Sequence, residues 1–390
     1  MREGWVEKRL KDVAFVFAGQ SAPQKQEDYS LTGTPFIKAG NLSELISGKN
    51  EDSILKVTDF AVEKYGLKKY KSGSVLFAKS GMSCLKGYVY VTKNDCYVVS
   101  HLAIVQPKED VNSYYLKYHF MYHKPYLLAK DTAYPSISLA DILNYKLLLP
   151  KLEKQYQIVS ELDMITEMIS KYDEQLKELD KLSQSIFYEM FGDPIENEKG
   201  WEVKKLEDVC VCITDGDHMP PPKADYGVPF VTISNINKET RMIDFSNTYY
   251  VPREYFDKIQ STRKPQIGDV LYTVTGSYGI PIYIDYEMEF CFQRHIGLLR
   301  PSVSISSIFL YEWALNKGTK YQADNVATGI AQKTVSIKCL RNFDIILPPL
   351  ALQKSFARKI EAIEAMKSKV REAKKEAETL LAARMQYWFE

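Results

Sequence analysis

The sequence predicts an α+β chain written twice: a domain of short strands and helices, then a long helix, then both again. Three observations carry this. First, five blocks recur in the same order, at offsets between 194 and 198 residues. "GWVEKRLKDV" from Gly4 answers "GWEVKKLEDV" from Gly200, and "PFIKAGNLS" from Pro35 answers "PFVTISNIN" from Pro229. "GSVLFAKSG" from Gly73 answers "GDVLYTVTG" from Gly268, and "CYVVSHLAIVQP" from Cys96 answers "CFQRHIGLLRP" from Cys291. "SISLADILNYKLLLP" from Ser136 answers "VSIKCLRNFDIILP" from Val335, the two aligned on their closing Leu-Pro, 198 residues apart. Such ordered recurrence marks a tandem duplication. Second, runs such as "SVLFA", "GYVYV" and "DVLYTVT" set β-branched and aromatic residues between Gly, Pro and Asn punctuation, the pattern of short strands. Third, each copy leads through Leu-Pro and a Gln into an apolar-periodic helix.

Composition bounds the answer. A chain of 390 residues suits two or three domains. With 45% hydrophobic and 26% charged residues it reads as globular. No run approaches the 18 or so uninterrupted apolar residues of a membrane span, so no membrane partner is expected. "MREGWVEKRLKDV" lacks the apolar core of a secretory signal. The six Cys form no CxxC pair, which argues against a zinc ribbon or disulfide scaffold and makes the cytoplasm the expected compartment. The net charge of +1 means that a nucleic-acid partner would have to be held by local patches. Residues 1–150 carry 20 Lys+Arg against 15 Asp+Glu, whereas 192–347 carry 17 against 20.

Short helices are expected over 113–123 and 307–316. In the first long helix the apolar positions Leu162, Ile165, Ile169, Tyr172, Leu176, Leu179, Ile186 and Met190 recur at three- and four-residue steps, with one gap at Ser183. The second helix offers Phe356, Ile360, Ile363, Met366, Val370, Ala377, Leu380 and Leu381. Each stripe needs a partner, and each helix is the simplest partner for the other; the alternative is that each helix packs on its own domain. A helix near 40 residues would be roughly 60 Å long. Antiparallel pairing would set the two domains at opposite ends of a rod; parallel pairing would set them side by side. "FGDPIENEKGW" links the first helix to the second domain, and "MQYWFE" ends the second helix where that linker would begin again.

The pattern resembles the specificity subunit of Type I restriction–modification systems, along the whole chain. The Gly-Trp segment, the Pro-Phe block near an Asn, the Gly-Asp/Ser-Val-Leu strand and the Leu-Pro-Pro-Leu…Gln lead-in each occur twice, although Lys151 stands where the second copy has Pro349. The resemblance implies two α/β target-recognition domains separated by two long antiparallel coiled-coil helices, a pseudo-two-fold repeat. The boundaries are 1–150 and 192–347 for the domains, and 151–191 and 348–390 for the helices. It implies that each domain reads half of a split, asymmetric double-stranded DNA target. The helices would space the domains and dock methyltransferase subunits, two of them, with restriction subunits attached through those. S-adenosylmethionine, ATP and Mg would belong to the partners, with no cofactor or metal on this chain.

The residues agree with a non-catalytic reader. There is no Asn/Asp-Pro-Pro-Tyr/Phe, no GxGxxG and no GxxxxGK[ST]. His119 and His123 in "HFMYH" lack the Glu of a zinc protease helix and read as surface or core residues. Base reading needs donors and acceptors at base edges and cations at phosphates. Each copy would read different bases, so the least-matched segments are the candidates. Residues 19–26 offer Gln20, Gln24 and Lys25; opposite them stand Thr214, Asp217, His218 and Lys223. "AKSGMSCLKG" offers Lys79, Ser80, Ser83 and Lys86, opposite Thr275, Ser277 and Tyr278. "KDTAYPS" offers Lys130, Thr132, Tyr134 and Ser136, opposite Thr328, Gln332 and Lys333. Lys38 and Ser234 precede the matched turn residues Asn41 and Asn235. His101 and His295 match and so belong to the shared fold, while Arg294 has no basic counterpart at Ser100. The competing reading is a coiled-coil adaptor that holds proteins without reading DNA.

Overall fold

The computed structural model describes residues 4–129, 131, 133–329 and 332–390. The chain divides into two compact units, Met1–Asp173 with Glu372–Glu390, and Glu174–Arg371. Each unit combines one domain with a part of each long helix (Leu152–Phe191 and Leu350–Phe389).

In the first unit an antiparallel sheet runs in the order Ala14–Ala18, Leu102–Pro107, Val75–Ala78, Val89–Val91. Its central strand, Val-Leu-Phe-Ala, is buried on both faces, which is why it reads as a continuous apolar run rather than an alternation. A second sheet runs Tyr29–Ser30, Lys56–Val57, Thr34–Ile37, Tyr97–Val98, its last pair parallel. The helix Ser113–His123 is N-capped by the Asn112 side chain and turns Tyr115, Leu116, Tyr118 and Phe120 inward. Phe120 meets Phe77 of the central strand at 5.3 Å between rings.

The second unit repeats the plan. One sheet runs Cys210–Asp215, Ile296–Pro301, Val270–Thr273, Pro281–Tyr283. The other runs Tyr249–Val251, Val228–Val231, Cys291–Phe292, and its last pair is again parallel. Helix Ser307–Leu315 replaces Ser113–His123.

The Leu-Pro…Gln motif has a structural reason. Strand Lys146–Leu149 pairs antiparallel with Val6–Arg9, and Asp344–Leu347 with Glu202–Lys205, so each lead-in closes its domain against the domain's own start. The Gln that follows is completely buried. Gln155 accepts from the Asn112 N–H at 2.8 Å and donates to the Pro150 and Asp110 carbonyls at 2.9 and 3.0 Å. Gln353 accepts from the Ser306 N–H and donates to the Pro348 carbonyl, both at 2.8 Å. Each Gln ties the first turn of a long helix to the residues that open its domain's short helix. The tie replaces water for backbone groups that burial would otherwise orphan.

The long helices pair antiparallel within each unit. In the first, Glu161 meets Arg384 and the Trp388 indole N–H, while Asp173, further along, meets Lys374. In the second, Asp180 meets Lys367, and Phe187 and Phe191 pack on Phe356 with rings 5.7 and 5.1 Å apart. The first long helix stops at Gly192, at φ +78°, followed two residues later by Pro194. The Trp201 indole N–H donates to the Phe191 carbonyl at 2.8 Å, so the repeated Gly-Trp segment caps that helix.

The apolar stripe is shared differently from the expectation that the helices cover each other. Leu162 belongs to the first domain's core, with Ile158, Val159, Met385 and Phe389. Ile360 and Ile363 belong to the second domain's core, with Phe187, Phe191 and Phe356. Ile165, Val370 and Ala377 are buried outside those cores, and Ile169, Tyr172, Leu176 and Leu179 are half-buried. Met366 and Leu380, counted with the stripe, are exposed. The Gln ties explain this: they hold the first turns of each helix against its domain, whose apolar surface reaches those turns first.

A candidate nucleic-acid interface

In each unit, loops at one end of the main sheet converge on a single turn. In the first unit the strand Ala14–Ala18 ends at Gly19, where a Cβ would overlap the Val99 carbonyl. Gln20 donates its N–H to the Val98 carbonyl and accepts from the Ser100 N–H, both at 2.8 Å. The strand Val75–Ala78 ends at Lys79, whose N–H reaches the His101 carbonyl at 2.9 Å. The Lys79 carbonyl accepts from Ile137 at 2.7 Å, and the Gly81 N–H donates to Pro135 at 3.0 Å. The segments around 20 and 80 thus meet the turn 99–101, and the segment around 136 lies against the segment around 80.

The second unit repeats this backbone. A Cβ at Gly216 would overlap the Phe292 carbonyl, and Arg294 donates to Asp217 at 3.0 Å. Val274 donates to His295 at 2.9 Å, Val335 to Val274 at 2.8 Å, and Gly276 to Lys333 at 2.9 Å. Gly19 and Gly216 are required by close approach rather than by their dihedrals.

The side chains on this shared frame differ. In the first unit Lys86, Tyr134 and Ser136 are exposed, and Lys79, Ser80 and Ser83 half-buried. Ser80 Oγ lies 2.9 Å from His101 Nδ1. The Gln20 amide is occupied, donating to the Gly66 carbonyl at 2.8 Å and accepting from the Lys68 N–H, so it braces the loop. Gln24 donates to its neighbour Ala22, and exposed Lys25 pairs with Glu27. Lys38 sits over the Tyr29 ring at 4.6 Å. Lys130 and Thr132 lie outside the described residues.

In the second unit Thr328, Gln332, Lys333 and Arg294 are exposed. Lys223 is exposed over the Tyr249 ring, and Ser234 is exposed with its hydroxyl on Thr232 at 2.7 Å. His218 meets Asp215 at 2.9 Å, and burial, then neighbouring Asp217, raises the Tyr255 pKa. Thr214 turns its hydroxyl to the Asp215 carbonyl. Tyr278 donates to Asp324 at 2.7 Å beneath Lys320. Ser277 is half-buried, but Thr275 is 5% exposed with its hydroxyl on Thr334, which leaves it little to offer a ligand. Burial, then the charge of Arg294, lowers the His295 pKa.

The loops of the second unit also frame a cleft of about 280 Å³, lined by Ser234, Ser277, Gln332 and Lys238. Lys238 is not among the residues singled out in the sequence: it stands one residue past the matched block that ends at Asn237 and outside the loop pairs compared there. Among the described residues no group of three or more His, Cys, Asp or Glu is placed to hold a metal ion. No helix among them is long and apolar enough to cross a membrane.

Residues 2–180, and again 198–378, match the family described as the Type I restriction modification DNA specificity domain. The chain belongs to that family. It is 22% identical over 416 residues to the Type I restriction enzyme MjaVIII specificity subunit of Methanocaldococcus jannaschii, covering 97% of this chain and 92% of that one. It is 26% identical over 198 residues to the MjaIX specificity subunit of the same organism, a match spanning 49% of this chain and 44% of that relative. The crystal structure of the Type I restriction–modification S subunit from M. genitalium shares the fold, with a TM-score of 0.55 at 13% identity over 99% of this chain and 96% of that one. The two family matches fall on the two copies of the repeat, so each loop cluster sits in its own specificity domain.

Proposed function

We propose that this chain is the DNA sequence-reading subunit of a Type I restriction–modification enzyme. Each loop cluster would read one half of a bipartite, asymmetric target in double-stranded DNA. One observation carries the reading: the two clusters share a backbone frame and present different side chains. Lys86, Tyr134 and Ser136 stand on one, and Arg294, Gln332, Lys333 and Lys223 on the other. Exposed Lys and Arg suit phosphates, while Gln, Ser and Arg offer the donors and acceptors that base edges need.

The chain supplies no catalytic group in this proposal. Its long helices dock two methyltransferase subunits, which bring S-adenosylmethionine, and restriction subunits using ATP and Mg join through them. It works where the chromosome is, in the bacterial or archaeal cytoplasm.

Replacing residues 1–150 by those of another family member, in the reconstituted methyltransferase, tests this. Methylation mapping should show one half-site changed and the other kept. An unchanged pattern, or loss of both halves in a folded complex, would overturn it.

A further inference from the structure

The second unit holds a cavity of about 660 Å³, none of whose lining residues belongs to its recognition loops. Its walls are mainly apolar, with Ile243, Phe245, Ile282, Met288, Ile308 and Ile360. Two donors that line it, the Arg241 Nε and the Tyr286 hydroxyl, are buried without a hydrogen-bond partner. The other end of Arg241 is held by Asp180 at 2.9 Å, so Nε has a fixed position. At the edge stand Asp285 and Glu361, exposed and without an ion pair among the described residues.

The corresponding place in the first unit is filled by the chain itself. After the matched Asn41, helix Asn41–Ile46 packs on the strand Val89–Val91, with Leu42 and Leu45 buried. Glu51 fills the space beyond, accepting from the Tyr90 hydroxyl and from the N–H groups of Lys93 and Asn94. After the matched Asn235 the second unit makes a tight turn instead. Ile236 bridges Ile243, Asn237 accepts Arg241 and donates to Met242, and Arg241 itself adopts φ +56°. The repeat keeps the walls and lacks the filling.

We propose that this cavity docks a partner-protein segment that carries one large apolar side chain between basic residues. A volume of this size suits a buried side chain and its adjoining backbone. The apolar anchor occupies the Ile282–Ile308–Ile360 walls, where desolvation gives such anchors most of their binding energy. A main-chain carbonyl of the segment accepts from Arg241 Nε and the Tyr286 hydroxyl, removing the cost of two unpaired buried donors. Lys or Arg on either side of the anchor meets Asp285 and Glu361. The partner therefore binds at the second unit and not at the equivalent place on the first.

The test uses the full purified chain and two fluorescein-labelled peptides, Arg-Lys-Phe-Lys-Arg and the same peptide with Ala at its centre. The Phe peptide should bind by anisotropy, and the Ala peptide roughly tenfold more weakly. Met242→Lys and Met288→Lys place a like charge at the edge on side chains 53% and 37% exposed, so both should fold, as a thermal melt will check. Each should weaken the Phe peptide roughly tenfold while leaving duplex footprints of the reconstituted complex unchanged. Equal binding of both peptides would overturn the proposal, since only charge would then be read. Absence of binding to the intact chain would also overturn it. So would displacement of the peptide by decanoate at matched concentrations, which would mark a small-amphiphile site. Self-association of the chain abolished by Met242→Lys would assign the cavity to a second copy.

Discussion

The two units bury opposite charge chemistry at neighbouring positions of the same helix. In the first, His119 on Ser113–His123 is 3% exposed, its Nε2 3.1 Å from the Tyr145 hydroxyl and its ring 5.5 Å from that of Phe389. Burial, then nearby His123, pushes its pKa down to about 3. In the second, Glu312 on Ser307–Leu315 is 4% exposed, and burial raises its pKa to about 7. Lys367 and Arg241 oppose that rise, while Glu364 and Asp180 add to it. The repeat preserves where the helix packs, because that depends on apolar spacing. It does not preserve what the helix buries, because each polar group answers to a different neighbour on the long helices.

The largest effect that tests this comparison is on the cores. Phe356→Ala should cost the second unit about 4 kcal/mol. Phe389→Ala should cost the first unit less, about 2 kcal/mol, because a residue in a last helical turn can fray. Amide exchange resolved by peptide should show the loss in one unit at a time; equal loss in both would mean that they do not have separate cores. Next come the buried ties. Gln155→Leu strands three backbone groups and should cost about 3 kcal/mol, and Gln353→Leu, which strands two, about 2 kcal/mol, by chemical denaturation.

The proton response should differ in sign. His119 has its folded pKa below the ordinary 6.5, so its contribution is complete above pH 6.5 and is lost as pH falls toward 3. Glu312 has its folded pKa above the ordinary 4.5, so its contribution is complete below pH 4.5 and is lost as pH rises through about 7. Between pH 4.5 and 6.5, raising pH should strengthen the first unit and weaken the second, on the order of 1 kcal/mol per pH unit. Exchange protection of the two short helices measures this, and His119→Leu and Glu312→Gln should each flatten one slope. Parallel slopes in the two units would refute it. The smallest effect belongs to Arg384→Ala, whose partly exposed pair with Glu161 should show the weakest coupling of these in a double-mutant cycle.

Much of the fold is legible in the sequence because duplication supplies an internal control. Matched blocks became the strands and the lead-ins, and the expected helix over 113–123 is present with those bounds. The apolar stripe was visible, but periodicity cannot say what covers a stripe; Leu162 and Ile360 proved to face domain cores. Mismatch between the copies pointed to the loops, and their convergence on one turn needed three dimensions. Which polar side chains are already occupied could not be read, since Gln20 is held by Gly66 and Lys68, more than 40 residues away in sequence. Thr275 looked polar and turned out buried for the same reason, a partner 59 residues on.

The far end of the second long helix bears on synthesis. Met385 and Phe389 lie in the core built by residues near the start of the chain. During translation domains generally fold in the order in which they emerge. Here the second unit has all its parts once residue 371 is out, whereas the first waits, with Tyr115 and His119 uncovered, for residues 372–389. The unit the ribosome begins is the one it completes later, and a nascent chain halted near residue 371 should carry a finished second unit and an open first.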